Sequence, residues 1–513
     1  MTLRSALRRG IQSLKADNGS TVEVQSRGAG PMLNDVTDAI AAASDDDVHD
    51  RLRPTAKMAT SRRILITSEN TGLWQAEQDE ETAAKVTELL QQDFEKHHVF
   101  FNARGFHNHI THYLLTLYGL GAPISALETA YDANEHYQQK AIPVKHNVVT
   151  ELQRNWSANA PNYLGVGKHY SDFLAFFQLE IDEKGWEAVL SEFVFQDTSK
   201  SRDIYQRLFS GIAHPLIQLQ FGLEWEQPAL IAAALAQAAV HDNSLGDFFD
   251  KVDAAVEAND KSGAEVPHRY LSRVCEEIRS SDSPLRNAAE WKDSDSLFDG
   301  VLARTLKEAI ELAASLRVEE KDLDERTAEM LHHNAYVSAA SSQYPPRVPR
   351  YDFFLIHSLN ASLFFLSLDK PFIPVSGRIR LLEHKMRYDV LQYIARGCPL
   401  LRMSTIRECS THVMQEAKLP VDLLPTFQNI FDDGHVVKVV RSLLLAEETS
   451  SEWEGSRWMR LRSVEDWLQA HRMLLRGVQG QNDKWIYGTG FTSAWKDMPL
   501  LSDSEESSDD SDD

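Results

Sequence analysis

Apolar residues recur every three to four positions along most of the chain and seldom alternate, so the pattern predicts helices almost throughout. Residues 81–96 place Val86, Leu89, Leu90 and Phe94 on one helical face. The following stretch, FFNARGFHNHITHYLLTLYGLG at 100–121, runs into an aliphatic helix that Gly119, Gly121 and Pro123 bring to a stop. Residues 125–136 read as another helix, with Ser125 as N-cap and Glu128 completing a capping box. Pro228 opens ALIAAALAQAAVHD, whose alanine content favours helix. Helical period returns over 302–316, in YDFFLIHSLNASLFFLSL and in RIRLLEHKMRYDVLQYIARGCP. Between them YPPRVPR at 344–350 forces an irregular connection, because proline lacks a donor and restricts the residue before it.

These elements predict a mainly α protein, a large all-helical domain over 61–500, either single or divided into two lobes. No βαβ spacing and no internal repeat stands out. Polar, poorly periodic residues 1–60 read as mostly disordered, and LSDSEESSDDSDD at 501–513 as a disordered acidic tail that binds a protein partner or takes phosphate. The passage 243–266 is the expected boundary or long surface loop, and 317–328 a solvated face.

Composition narrows the function classes. Apolar content is 42% and charged content 25%, both ordinary for a globular chain. A net charge of −23 argues against a nucleic-acid partner, since phosphates call for a basic surface. No long uncharged apolar run predicts a membrane span. The three cysteines, Cys275, Cys398 and Cys409, are too few for a disulfide framework or a cysteine zinc site and point to a reducing compartment. Arg4, Arg8, Arg9 and Lys15 precede the first acid, Asp17, which fits a short basic helix of a cytoplasmic protein or else a mitochondrial transit segment.

The chemistry lies in the histidines. His107, His109 and His112 fall within six residues at the mouth of one helix. On a wheel, His109 and His112 sit three apart on a side distinct from Ile110, Leu114, Leu117 and Tyr118, and neutral imidazoles so placed can converge on one metal ion. His107 projects toward the aliphatic side if the helix has begun there. His214 precedes a proline in GIAHPLIQL, His241 ends the alanine-rich helix, and His357 lies among aromatics. Each can instead be a hydrogen-bonded core histidine. Neither GVG at 165–167 nor GTG at 488–490 has dinucleotide-fingerprint spacing, and there is no P-loop, G-x-S-x-G or H-E-x-x-H. Phe100, Phe106, Tyr113, Phe353 and Phe354 suit either a flat aromatic substrate or core packing.

FFNARGFHNHITHYLLTLYGLGA, AYDANEHYQ, GIAHPLIQLQFGLE, DFFLIHSLNASLFF, LLEHKMRYDVLQYIARGCP and WIYGTGFTSAW together resemble the questin oxidase family, in order, from about Arg63 to Trp495. The resemblance implies an oxidoreductase that opens anthraquinone rings of polyketide pathways by oxidation of Baeyer–Villiger type. It implies O₂ as co-substrate and a non-haem metal, Fe(II), held by histidines and a carboxylated lysine. NADPH enters as a co-substrate, while a flavin has no support. Carried across by motif, the ligands would be His112, His214, His241, His357 and Lys385, with His107, His109 and Asn108 lining the pocket. A lysine carbamate offers hard anionic oxygens that suit iron, although Lys385 with Arg387 and Asp389 also reads as a surface ion-pair helix. Two further readings stand beside this one: a metal-free NADPH-dependent oxidase, and a non-enzymatic helical scaffold with structural histidines.

Overall fold

The computed structural model describes residues 58–263, 268–280, 282–409, 414–481 and 483–501. The disorder expected of the two chain ends therefore falls outside the described residues, save for a few at its edges. The described residues from Ala59 on form one compact unit. Among the described residues it is helical, with isolated β-bridges in place of a sheet, as the periodicity predicts.

The principal helices are α1 (Glu80–Lys96), α2 (Ile110–Gly119), α3 (Ile124–Glu135), α4 (Tyr170–Lys184), α5 (Ser210–Glu224), α6 (Pro228–Val240), α7 (Gly246–Ser262), α8 (Leu323–Ala340), α9 (Phe353–Ser362), α10 (Val375–Ala395), α11 (His435–Ser451) and α12 (Val464–Val478). Helix α6 begins at the predicted proline and is buried on every side. Alanine lets it lie close against α5. A Cβ on Gly222 of α5 would stand 2.8 Å from Ile231 Cγ1 and 3.0 Å from Ile231 N, so only glycine admits this approach. One large apolar cluster surrounds α1 to α6 and a second surrounds α12. Helices α8, α9 and α11 contribute to both, so the two cores share walls.

Three expectations change. The supposed loop at 243–266 holds α7, whose Phe248, Phe249 and Val252 are buried while its charges face water. Its charged composition hid a one-sided apolar pattern. The solvated face at 317–328 contains the start of α8, and Arg326 there is buried against Glu329 and the Arg269 carbonyl. Helix α3 starts at Ile124 with Pro123 as its N-cap, so no Ser125 capping box forms.

Asp352 explains how the C-terminal glycines reach the site. Its carboxylate caps α9, accepting from Phe354 N at 2.9 Å and Leu355 N at 3.3 Å. It also accepts from Gly488 N at 2.6 Å and Thr489 N at 3.0 Å, which pins the GTG segment against the helix that carries His357. Asp352→Ala removes a cap and leaves buried amides unpaired, a loss of about 3 kcal/mol. Urea unfolding of the full chain should show the lower midpoint, and a midpoint equal to wild type would contradict this role.

Candidate metal centre

Helices α2, α5, α9 and α11 meet, and at their junction seven histidines gather. His107 and His109 come from the connection before α2, and His112 from its first turn. His214 lies near the start of α5, His241 caps α6, His357 sits inside α9, and His435 is the first residue of α11. All but the partly exposed His241 are buried.

Local backbone aims these rings. The connection folds back on itself through Phe101 N–H to Phe106 O and Asn108 N–H to Val99 O, each 2.8 Å. Asn108 turns its amide away from the histidines and donates to Asp93 Oδ1 at 2.7 Å. At α5 the backbone is left-handed for three residues, Gly211, Ile212 and Ala213, with φ of 52°, 58° and 59°. Such a conformation costs roughly 1–2 kcal/mol for each non-glycine residue, strain of the kind that gathers at functional sites. It brings the Gly211 carbonyl to His214 Nδ1 at 2.6 Å. A Cβ on Gly211 would lie 2.5 Å from His241 Cε1 and 2.9 Å from His107 Cε1, so the turn itself abuts two of the rings.

Four rings have their Nδ1 turned to an oxygen. His214 Nδ1 donates to Gly211 O, and His357 Nδ1 donates to Phe353 O at 2.5 Å. His435 Nδ1 donates to Asp433 Oδ1 at 2.6 Å, and His109 Nδ1 faces Asp433 Oδ2 at 3.3 Å. These partners place the proton on Nδ1 and leave the Nε2 lone pair free. The free lone pairs then confront one another, His109 Nε2 to His214 Nε2 at 2.8 Å and His357 Nε2 to His435 Nε2 at 3.1 Å. Neither contact has a hydrogen to share while the rings are neutral.

The rings stay neutral. Burial, reinforced by the Lys438 charge, lowers His109 and His357 to about 3, and burial with Lys438 lowers His435 to about 4 despite Asp433 beside it. Burial also takes His214 well below its ordinary value. Facing lone pairs on neutral imidazoles suit a shared cation. Adjacent ligands about 2.1 Å from one octahedral ion stand about 3.0 Å apart, close to both separations. Nitrogens of His109, His214 and His435 all lie within 4.8 Å of one another. Asp433, bridging two of these histidines, supplies the carboxylate support that metal-binding imidazoles commonly have. Burial opposes its charge, but His435 and His109 hold its carboxyl well below the usual range.

The other predicted residues take different places. His107 Nε2 meets His241 Nε2 at 2.8 Å, and the His107 ring stacks on His214 at 3.8 Å. His112 Nε2 bonds Gln218 Oε1 at 2.7 Å, leaving its buried Nδ1 without a partner. Lys385 is not brought to the histidines. Its Nζ binds both Asp389 oxygens at 2.6 Å, Ser358 O at 2.9 Å and Ser362 Oγ at 3.1 Å. The ion pair envisaged on a surface helix is therefore formed, but wholly buried.

Three residues at the centre escape the sequence reading: His435, its support Asp433, and Lys438. Lys438 follows His435 by one turn, is buried, and bears on His109, His112, His214, His357 and His435. Burial brings its amine down to about 8. The signal was available in DDGHVVKVVRSLLL, where a cation interrupts an apolar run three residues after a histidine.

Aromatic rings lead outward from the centre. Phe353 packs on His357 and His435, with centroids 4.6 and 5.1 Å away, and on the exposed Tyr487 at 5.2 Å. Phe100 stands edge-on to His107 and His241, while Phe101 stacks with the exposed Phe106. Phe354 lies under the Arg396 guanidinium at 3.8 Å, and Tyr113 is part of the core. No helix among the described residues is long and apolar enough to cross a membrane.

The family model described as questin oxidase-like matches residues 106–443. A Baeyer–Villiger oxidase, ptaJ, of Pestalotiopsis fici is 31% identical over 452 residues, covering 86% of this chain and 99% of its own. The questin oxidase of Aspergillus terreus is 31% identical over 455 residues, covering 85% and 98%. The Baeyer–Villiger monooxygenase AacuH of Aspergillus aculeatus is 35% identical over 439 residues, covering 81% and 90%.

Proposed function

The chain belongs to the questin oxidase-like family of oxidoreductases, and from that membership we propose that it cleaves a ring of an anthraquinone or related aromatic polyketide with O₂ at a histidine-bound non-haem metal. The observation that carries this reading is the set of four buried imidazoles whose Nδ1 atoms are fixed on oxygens and whose Nε2 lone pairs face each other. His109, His214, His357 and His435 would hold the metal. The lysine role assigned to Lys385 by resemblance fits Lys438 better, because Lys438 bears on these histidines, whereas Lys385 is bound to Asp389.

Iron held there by His109, His214, His357 and His435 would supply the one-electron chemistry that lets triplet dioxygen react with a closed-shell arene. The chain's own residues do the rest. Phe353 and Tyr487 offer flat faces on which a fused-ring substrate can lie against the histidines. Asp433 keeps the Nδ1 protons of His109 and His435 in place, so both rings present Nε2 inward. Buried helices around the cluster keep bulk water from the reacting carbon. One oxygen atom enters the ring C–C bond and the other leaves as water, a balance that needs two electrons. NADPH would supply them by reducing the quinone, since no dinucleotide fingerprint marks a resident site.

The test is turnover of an anthraquinone with NADPH and O₂ by full-length protein loaded anaerobically with Fe(II). About one iron per chain and loss of turnover on exhaustive chelation are expected. Sustained turnover after chelation, or metal below about 0.2 per chain, would overturn the metal reading in favour of a metal-free oxidase.

A further inference from the structure

A cavity of about 530 Å³ opens between the end of α12 and the turn that leads into α11, a size in the range of small-molecule sites. Ile430, Phe431 and Val478 give it apolar walls, and Asn429 and Gln481 give it amides. Among the described residues that line it, Lys484 alone is charged. Each amide has one end committed elsewhere: Asn429 Nδ2 donates to Pro425 O at 2.7 Å, and Gln481 Oε1 accepts from Arg350 at 2.8 Å. Asn429 Oδ1 can therefore accept from a hydroxyl, and Gln481 Nε2 can donate to a carbonyl. Both walls continue inward to the histidines. Phe431 leads through Asp432 to Asp433, which holds His435. Lys484 leads to the partly exposed Trp485, whose ring stands edge-on to His435 with centroids 6.1 Å apart. The backbone there is extended, since Ile486 donates to Tyr351 O at 3.1 Å and accepts from Phe353 N at 2.8 Å. Successive side chains of such a segment point to opposite faces, so Trp485 and Tyr487 share the face away from the buried Ile486. Tyr487 packs on Phe353, and Phe353 on His435, so aromatic rings lead from the cavity to the centre.

We propose that this cavity receives the substrate as a flat, acidic hydroxyquinone, and that Trp485 is a specificity-determining residue on its way to the histidines. The inference rests on reading the protein as an oxidase of anthraquinone-type rings. Carbonyls acidify the hydroxyl groups of such quinones, which carry negative charge more readily than simple phenols. The chain as a whole has a net charge of −23, so Lys484 gives that anion a local partner on a surface that otherwise repels it. A quinone carbonyl suits Gln481 Nε2, a hydroxyl suits Asn429 Oδ1, and fused rings suit Phe431 and Trp485. A dinucleotide calls for several cations around its phosphates, which a single lysine does not provide.

The test is calorimetric titration of full-length, iron-loaded protein with two probes, anthraquinone carboxylate, which is anionic, and hydroxymethylanthraquinone, which is neutral. Lys484→Gln should weaken the anionic probe about threefold and leave the neutral one unchanged. Trp485→Ala should weaken both about fivefold to tenfold and, in turnover, raise KM more than it lowers kcat, with iron content as in wild type. Absence of binding in wild type, or wild-type binding in both variants, overturns the proposal. Displacement of either probe by NADPH overturns it in favour of a cofactor dock. Loss of iron in Trp485→Ala overturns the specificity role in favour of a structural one. The titrations need no turnover, so binding that follows this pattern without ring cleavage supports the cavity assignment while overturning the proposed reaction.

Discussion

His435→Ala should leave full-length protein that folds but binds less than about a tenth of the wild-type metal and loses more than about 100-fold in kcat/KM, beyond the range typical of residues that only support a ligand. His435 is where the centre's contacts cross. Its Nε2 faces His357 at 3.1 Å, its ring lies edge-on to His109 with centroids 4.6 Å apart, and its Nδ1 holds Asp433. Removing it takes away one lone pair and also releases the carboxylate that orients His109. His112→Ala should cost much less metal, because His112 Nε2 is already engaged with Gln218 Oε1 at 2.7 Å. Plasma emission analysis of both variants decides the matter. Stoichiometric metal in His435→Ala, or greater loss in His112→Ala, would return the site to the ligand set implied by family resemblance.

The second large effect concerns Lys385. Asp389→Ala strands an ammonium that is wholly buried, and removing one member of such a pair costs about 3–5 kcal/mol. Lys385→Met with Asp389→Leu replaces both charges by apolar groups and should recover most of that loss. Metal content should stay at wild-type level in the double variant. Thermal unfolding and metal analysis together provide the check. A well-folded double variant without metal would restore Lys385 to the centre.

Much of the fold was legible because helices announce themselves through apolar period, and this chain keeps that period over nearly its whole length. Helix α7 was missed because its charges are dense, although Phe248, Phe249 and Val252 mark its inner face. The site was legible only in part. A histidine cluster such as 107, 109 and 112 catches the eye, but adjacency along the chain does not say which ring turns inward. His109 joins the compact group because Asp433 faces it, and Asp433 is brought there by tertiary packing of α2 against α11. Lys385 and Lys438 look alike in sequence, each a cation on a buried helix. Only the presence of Asp389 one turn after Lys385 separates a neutralised lysine from one left to face the histidines.

Asp352 has a consequence for how the protein is made. By tying Gly488 and Thr489 to the first turn of α9, it links the last stretch of described chain to the helix of His357. Some 300 residues separate His109 from His435, so at ordinary rates of synthesis the first histidines wait roughly 15–60 s for their partners. Until then their aliphatic helix has no α11 to cover it. Nascent chains are thus expected to depend on chaperones until α11 emerges, and the proposed metal centre could be filled only after that point.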